Sequence, residues 1–210
     1  SAGQEGAACL HADISVAADA VQPALGVHAV WTLTGAGELA VRLRAHASAG
    51  FPSLPRFGLR LFLPRVMQQV AYYGLGPGES YVDKHRSCRH GEFRTTVAAL
   101  HEGYLRPQEN GSRADCDYVT LSDGDLGLTA VGLRPFSFNV SAYTQEELTR
   151  TAHDVELAQC GSTVLCLDGA MAGIGSASCG PSTGSTAGRS ASTWFSCPPS
   201  SPPSPLSTMR

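Results

Sequence analysis

The sequence predicts an all-β, antiparallel β-sandwich. Short segments with alternating apolar and polar residues follow one another along most of the chain. Glycine-, asparagine- and aspartate-containing turns separate them, and only one short stretch carries a helix signature. Such a succession of strands buries one face of each sheet and leaves the other to water.

Residues 1–22 are alanine-rich and weakly patterned, and read as the remnant of a preceding segment. The sandwich domain is assigned to 23–183. Its first clear element is "HAVWTLTGAGELAVRLRAHA" (28–47), a hairpin around Gly35-Ala36-Gly37 in which Leu39, Val41 and Leu43 alternate with polar residues. "FGLRLFLP" (57–64) places Phe57, Leu59, Leu61 and Leu63 on one face, and "MQQVAYYGLG" (67–76) continues the series. Further strands are expected in "CDYVTLSD", "GLTAVGL", "FSFNVSAY" and "STVLCLDGA", with turns at Asn110-Gly111, Asp123-Gly124 and Asp168-Gly169. The helix signature is "TQEELTRTAHDVEL", with Thr144 as N-cap and Glu147 completing a capping box. From 184 to 210 the chain turns serine-, threonine- and proline-rich, a composition that cannot offset its ordering entropy; this tail is expected to be disordered.

A net charge of −3 and the absence of like-charge runs exclude a nucleic-acid or anionic-lipid footprint. No apolar run has membrane-spanning length. The missing initiator methionine points to a fragment of a longer product. Seven scattered cysteines without C-x-x-C spacing argue against zinc and fit reduced thiols in a cytoplasmic or organellar compartment.

"YYGLGPGESYVDKH" (72–85) is the most distinctive stretch. Three glycines suggest a phosphate cradle, but the third is misplaced, Pro77 interrupts, and no amphipathic helix follows. A tight loop leaving a strand, with glycines at positive φ, is the plainer expectation. Gly74, Gly76, Pro77, Glu79, Tyr81, Asp83 and Lys84 stand in register with a loop of the C-terminal domain, or small chain, of LacZ-type β-galactosidases of glycoside hydrolase family 2. Four further stretches resemble that family in the same order: "LPRFGLRLFLP", "GYLRPQENGSRADCDYVTL", "PFSFNVSAYTQEELTRTAHDVEL" and "LDGAMAGIGSASCGP".

The resemblance implies a galactose mutarotase-like supersandwich, here with its closing C-terminal strands replaced by the low-complexity tail. It implies a role in hydrolysing terminal β-D-galactosides such as lactose, with both catalytic glutamates on a TIM-barrel domain or large chain outside this sequence. Retention of configuration needs two carboxylates ~5–5.5 Å apart, and Glu79, Asp83 and Glu109 belong instead to loop architecture in the family pattern. No catalytic residue is therefore assigned to this chain. The resemblance implies that the loop "GIGSASCGP" brings Cys179 to the position that meets the sugar on its leaving-group side, where the family presents tryptophan or, in many members, cysteine; a turn residue is the alternative reading of Cys179. Ser176-Ala177 replaces the family's Gly-Asp. Magnesium and sodium, which the family uses, are expected on the other domains, and no cofactor or metal ligand is assigned here. A stand-alone galactose-binding or mutarotase-like module is the competing reading, with His85, His90, His101 and His153 as its candidate acid/base groups; a non-functional fragment is the third.

Overall fold

The computed structural model describes residues 6–17, 25–48, 56–171 and 190–197. Its elements run β1 (Ala8–Val16), β2 (Leu25–Leu33), β3 (Leu39–Ala47), β4 (Arg56–Pro64), β5 (Gln69–Gly76), β6 (Arg89–Thr96), α1 (Val97–Leu100), β7 (Arg113–Ser122), β8 (Gly127–Ser141), α2 (Gln145–Arg150), β9 (Ser162–Met171) and β10 (Ser190–Cys197). Every strand pairing between them is antiparallel. The main layer follows the order β1-β2-β3-β10-β8-β7-β5-β6, and a second layer branches from it as β8-β9-β4.

β8 makes the branch. Residues 127–131, Phe136 and Phe138 pair with β7 and 137–141 with β9, so one continuous strand belongs to both layers. The sequence suggests two strands here because Pro135 interrupts the alternation. Pro135 falls where the β7 ladder slips, between the pairs Tyr118↔Val131 and Cys116↔Phe136, and so no ladder bond needs its missing N–H. Gly132 marks the same bend, since a Cβ there would approach the Arg134 carbonyl to 2.5 Å and Phe136 Cδ1 to 2.6 Å.

Two apolar clusters fill the space between the layers. The larger joins Val70, Tyr72, Val119, Leu121, Phe138 and Leu165 with α1, whose Val97 and Leu100 are buried. The smaller holds Leu25, Ala29, Val41, Leu43 and Ala45 under Phe57 of β4. Leu59 packs against both clusters and joins them.

The predicted hairpin forms as β2 and β3, with Gly37 at φ +82° in its turn. Thr144 caps α2 by accepting from the Glu147 amide at 3.1 Å. Glu147 does not complete a capping box. Its carboxylate instead accepts from Thr151 Oγ1 and the Ala158 amide, both at 3.0 Å, and so ties the helix to the chain beyond it.

Several sequence expectations are corrected. Residues 8–16 form β1, paired along its length with β2. The segment 184–210 is not wholly without structure: Ser190–Cys197 forms β10 between β3 and β8. Its Thr-Trp-Phe core favours extended backbone, and main-chain pairing does not depend on the apolar content that the surrounding serines and prolines lack. Asp168-Gly169 is not a turn but lies within β9. The strand β6 was not expected; its arginines, His90 and Glu92 hide the period-two pattern, as suits the edge of a sheet.

Candidate functional site: the rim of the sandwich

Parts of the stretches singled out in the sequence meet at one end of the sandwich. There β5 leaves for the loop 77–88, β7 and β4 begin, and β9 ends with Met171 opposite Arg56. Glu79 organises the first half of this rim. Its side chain is only 4% exposed. One carboxylate oxygen accepts from Lys84 Nζ and Tyr104 OH, and the other from the Gly111 amide at 2.9 Å. Gly111 has φ +73°, and a Cβ there would come within 2.5 Å of the Leu100 carbonyl; glycine alone can present that N–H. Ser80 stitches the same loop to β7, its amide donating to the Ser112 carbonyl and its hydroxyl accepting from the Ala114 amide, both at 2.8 Å. Tyr81 is buried beside it, with its hydroxyl 3.4 Å from the Ser112 amide, and burial pushes its ionisation well above the usual phenol range.

Gly74 and Gly76 do not adopt positive φ. They are strand residues of β5 that allow close approach. A Cβ on Gly74 would collide with Cys116, whose Cα would lie 2.9 Å away, and one on Gly76 would collide with Tyr72 and with Phe93 Cε2 at 2.9 Å. The stretch is a packing device followed by a cis Gly76-Pro77 bond, and it offers no phosphate cradle.

The second half of the rim is an ion-pair chain. Arg56 donates through Nε and NH2 to both oxygens of Asp168 at 2.7 Å, and through NH1 to Glu109 at 3.1 Å. Asp168 is 3% exposed. Burial raises its carboxyl above the usual range, an effect that the Arg56 bonds only partly offset. Glu109 is raised for the same first reason and then by the Asp168 charge, again against Arg56; its Oε1 is buried without a hydrogen-bond partner. A raised carboxyl is what a general acid needs. Its neighbour Asp168, however, is held by both oxygens, so these two do not form the opposed, substrate-facing pair that glycoside cleavage requires.

The histidines do not converge. His85 bonds the Tyr81 carbonyl, His90 the Asp115 carbonyl and His101 the Asp154 carboxylate, while His153 caps a helical turn at Asp154–Glu156. Among the described residues no group of three or more His, Cys, Asp or Glu side chains is arranged to hold a metal ion. No helix among them is long and apolar enough to cross a membrane. Cys179 lies outside the described residues. What sequence reasoning missed at the rim is the Arg56–Asp168 clamp; an aspartate inside an otherwise apolar strand, "VLCLDGA", was its signal.

Burial alone would push the Glu79 carboxyl upward. The bonds from Lys84, Tyr104 and Gly111 outweigh it and hold the carboxyl below its ordinary value. A lowered folded-state value contributes stability above the unfolded carboxyl range and loses it as pH falls through the folded value. Glu79→Gln removes that contribution and leaves the Gly111 amide and Lys84 poorly matched. The variant should lose about 1–3 kcal/mol at neutral pH and show a flatter acid limb in urea melts collected across pH.

The described residues thus form an antiparallel sandwich whose rim is internally bonded through Glu79, Arg56 and Asp168. The comparisons give its family: the model described as "Beta galactosidase small chain" matches residues 2–187, and the chain belongs to that family. It is 47% identical over 145 residues to a β-galactosidase of Actinobacillus pleuropneumoniae, covering 69% of this chain and 14% of that protein. With a β-galactosidase of Staphylococcus xylosus the identity is 40% over 169 residues, covering 80% and 17%. With a β-galactosidase small subunit of Latilactobacillus sakei it is 34% over 165 residues, covering 73% and 51%. The chain thus spans a small part of the β-galactosidases it matches and about half of the small subunit.

Proposed function

We propose that this chain completes the sugar pocket of a β-galactosidase whose bond-breaking glutamates lie on a TIM-barrel domain or large chain, and that the assembled protein hydrolyses terminal β-D-galactosides of the lactose type. The observation that carries the reading is the rim itself. Glu79 and Asp168 are committed to bonds within the domain, at the end of the sandwich where β9 ends with Met171. A rigid frame under a sugar-facing loop lowers the ordering cost of each binding event. Cys179 is the proposed substrate contact, a small and soft one where an indole would stack on the sugar face.

The test mixes purified chain with a barrel-bearing β-galactosidase large chain and follows nitrophenyl-galactoside cleavage. Activity is expected only in the mixture; cleavage by this chain alone, or no gain on mixing, would overturn the reading. In the active mixture Cys179→Trp should lower KM for aryl galactosides by about three- to tenfold, an added aromatic contact of roughly 1 kcal/mol. An unchanged KM would remove Cys179 from the pocket.

A further inference from the structure

Alternation along β1, β2 and β3 sorts their side chains into a wet face and a dry face. On the dry face, Leu10, Ile14 and Val16 of β1 lie opposite Trp31, Val27 and Leu25 of β2, and β3 extends the same apolar surface through Val41, Leu43 and Ala45. The opposite face carries His11, Asp13 and His28, then Arg42, Arg44 and His46. A sheet patterned in this way has one side meant for a second layer.

The second layer stops short. β4 covers the middle of the dry face through Phe57 and Leu59, and among the described residues β4 pairs only with β9. Beyond it no described residue covers the outer part of the dry face fully: Leu10 is 62% exposed, Ile14 49%, Val16 48% and Leu33 48%. Unpaired strand edges and contiguous exposed apolar residues are each costly to leave open, and Phe57 of β4 shares an apolar cluster with Leu25 of β2, against which Ala12 of β1 packs.

We infer that the edge of β4 left unpaired among the described residues and the partly exposed dry face of β1 and β2 form one docking surface, filled by an antiparallel β-strand with apolar residues at alternate positions from the β-galactosidase polypeptide outside the matched region. The lengths support that occupant. The matched region makes up 14% of one full-length relative, 17% of another and 51% of the small subunit, so each carries further chain that could supply the strand. Main-chain bonds to β4 would supply affinity, and Leu10, Ile14 and Trp31 would select apolar side chains at every second position. The inference rests on the proposed β-galactosidase role.

The test replaces the matched segment of the intact Staphylococcus xylosus β-galactosidase with this chain. Leu10→Asp with Ile14→Asp is then compared with Val155→Asp, an exposed apolar residue on the helical turn at Asp154–Glu156. The unsubstituted chimera should be active and should protect β1 and β4 amides that exchange in the isolated chain. The double substitution should shorten its half-life at elevated temperature by about tenfold, whereas Val155→Asp leaves it unchanged. In the isolated chain both variants should melt close to the parent, because Leu10 and Ile14 are already about half exposed or more there. An active chimera indifferent to the β1 substitutions overturns the docking surface alone. An isolated chain that dimerises through β1 in competition with the graft overturns the choice of occupant. A folded, inactive chimera defeats the β-galactosidase reading and this inference with it.

Discussion

Arg56→Ala should destabilise the domain by about 3–5 kcal/mol, because it leaves the buried Asp168 carboxylate without the guanidinium that grips both its oxygens. Urea denaturation at neutral pH measures it directly. The pH dependence provides a second signature. With Arg56 gone, the folded-state value of Asp168, already raised by burial, rises further. A raised value means stability that is complete below the unfolded carboxyl range and is lost as pH rises through the folded value. The variant's deficit should therefore shrink on acidification and widen toward neutrality. Arg56→Met combined with Asp168→Leu should cost much less than Arg56→Ala, since a buried ion pair exchanged for apolar side chains is often close to neutral. Equal losses in both would mean that the clamp's charges contribute nothing beyond packing.

Gly58→Ala should be the next most damaging change. Gly58 sits at the register shift between β4 and β9, opposite Asp168. A methyl group there would run into the Leu167 carbonyl oxygen and lie 2.7 Å from Asp168 Cα and 2.8 Å from its Oδ1. Two of these obstacles are backbone, which a rotamer change cannot clear. The strand pair must open, at about 3 kcal/mol, the upper end of ordinary overpacking. Alanine at Gly78, where the surroundings are open, is the matched control, and thermal melts of the two variants should separate clearly.

These positions show how far the residues alone carry the fold. The β2–β3 hairpin, β4 and the Thr144 cap were legible because each expresses a local rule: alternation around a glycine turn, or a hydroxyl followed three residues later by the amide it caps. β6 and β10 were not, since one is a charged edge and the other lies in a serine- and proline-rich setting, and both owe their existence to neighbours distant in sequence. Gly74 and Gly76 were visible as special, but for a different reason than their spacing suggested: Cys116 lies against the first and Phe93 against the second, and contacts of that range leave no trace in a local pattern. At the rim, only the family resemblance suggested loop architecture for Glu79 and Glu109; their partners Lys84, Gly111 and Arg56 leave no local pattern that would name them. Asp168 was taken for a turn former because its partner, Arg56, is far away in sequence.

The pairing of Asn110 with Asn139 bears on how the protein can be produced. Asn110-Gly111-Ser112 and Asn139-Val140-Ser141 both satisfy the N-glycosylation acceptor pattern. In the folded domain, however, Asn139 donates its amide to the Asn110 carbonyl, Asn110 donates to the Gln108 carbonyl, and both side chains are sealed from solvent. An oligosaccharide attached to either nascent asparagine would occupy space that this pair fills. A host that exports the chain through its endoplasmic reticulum would thus trap molecules that a bacterial cytosol folds unmodified.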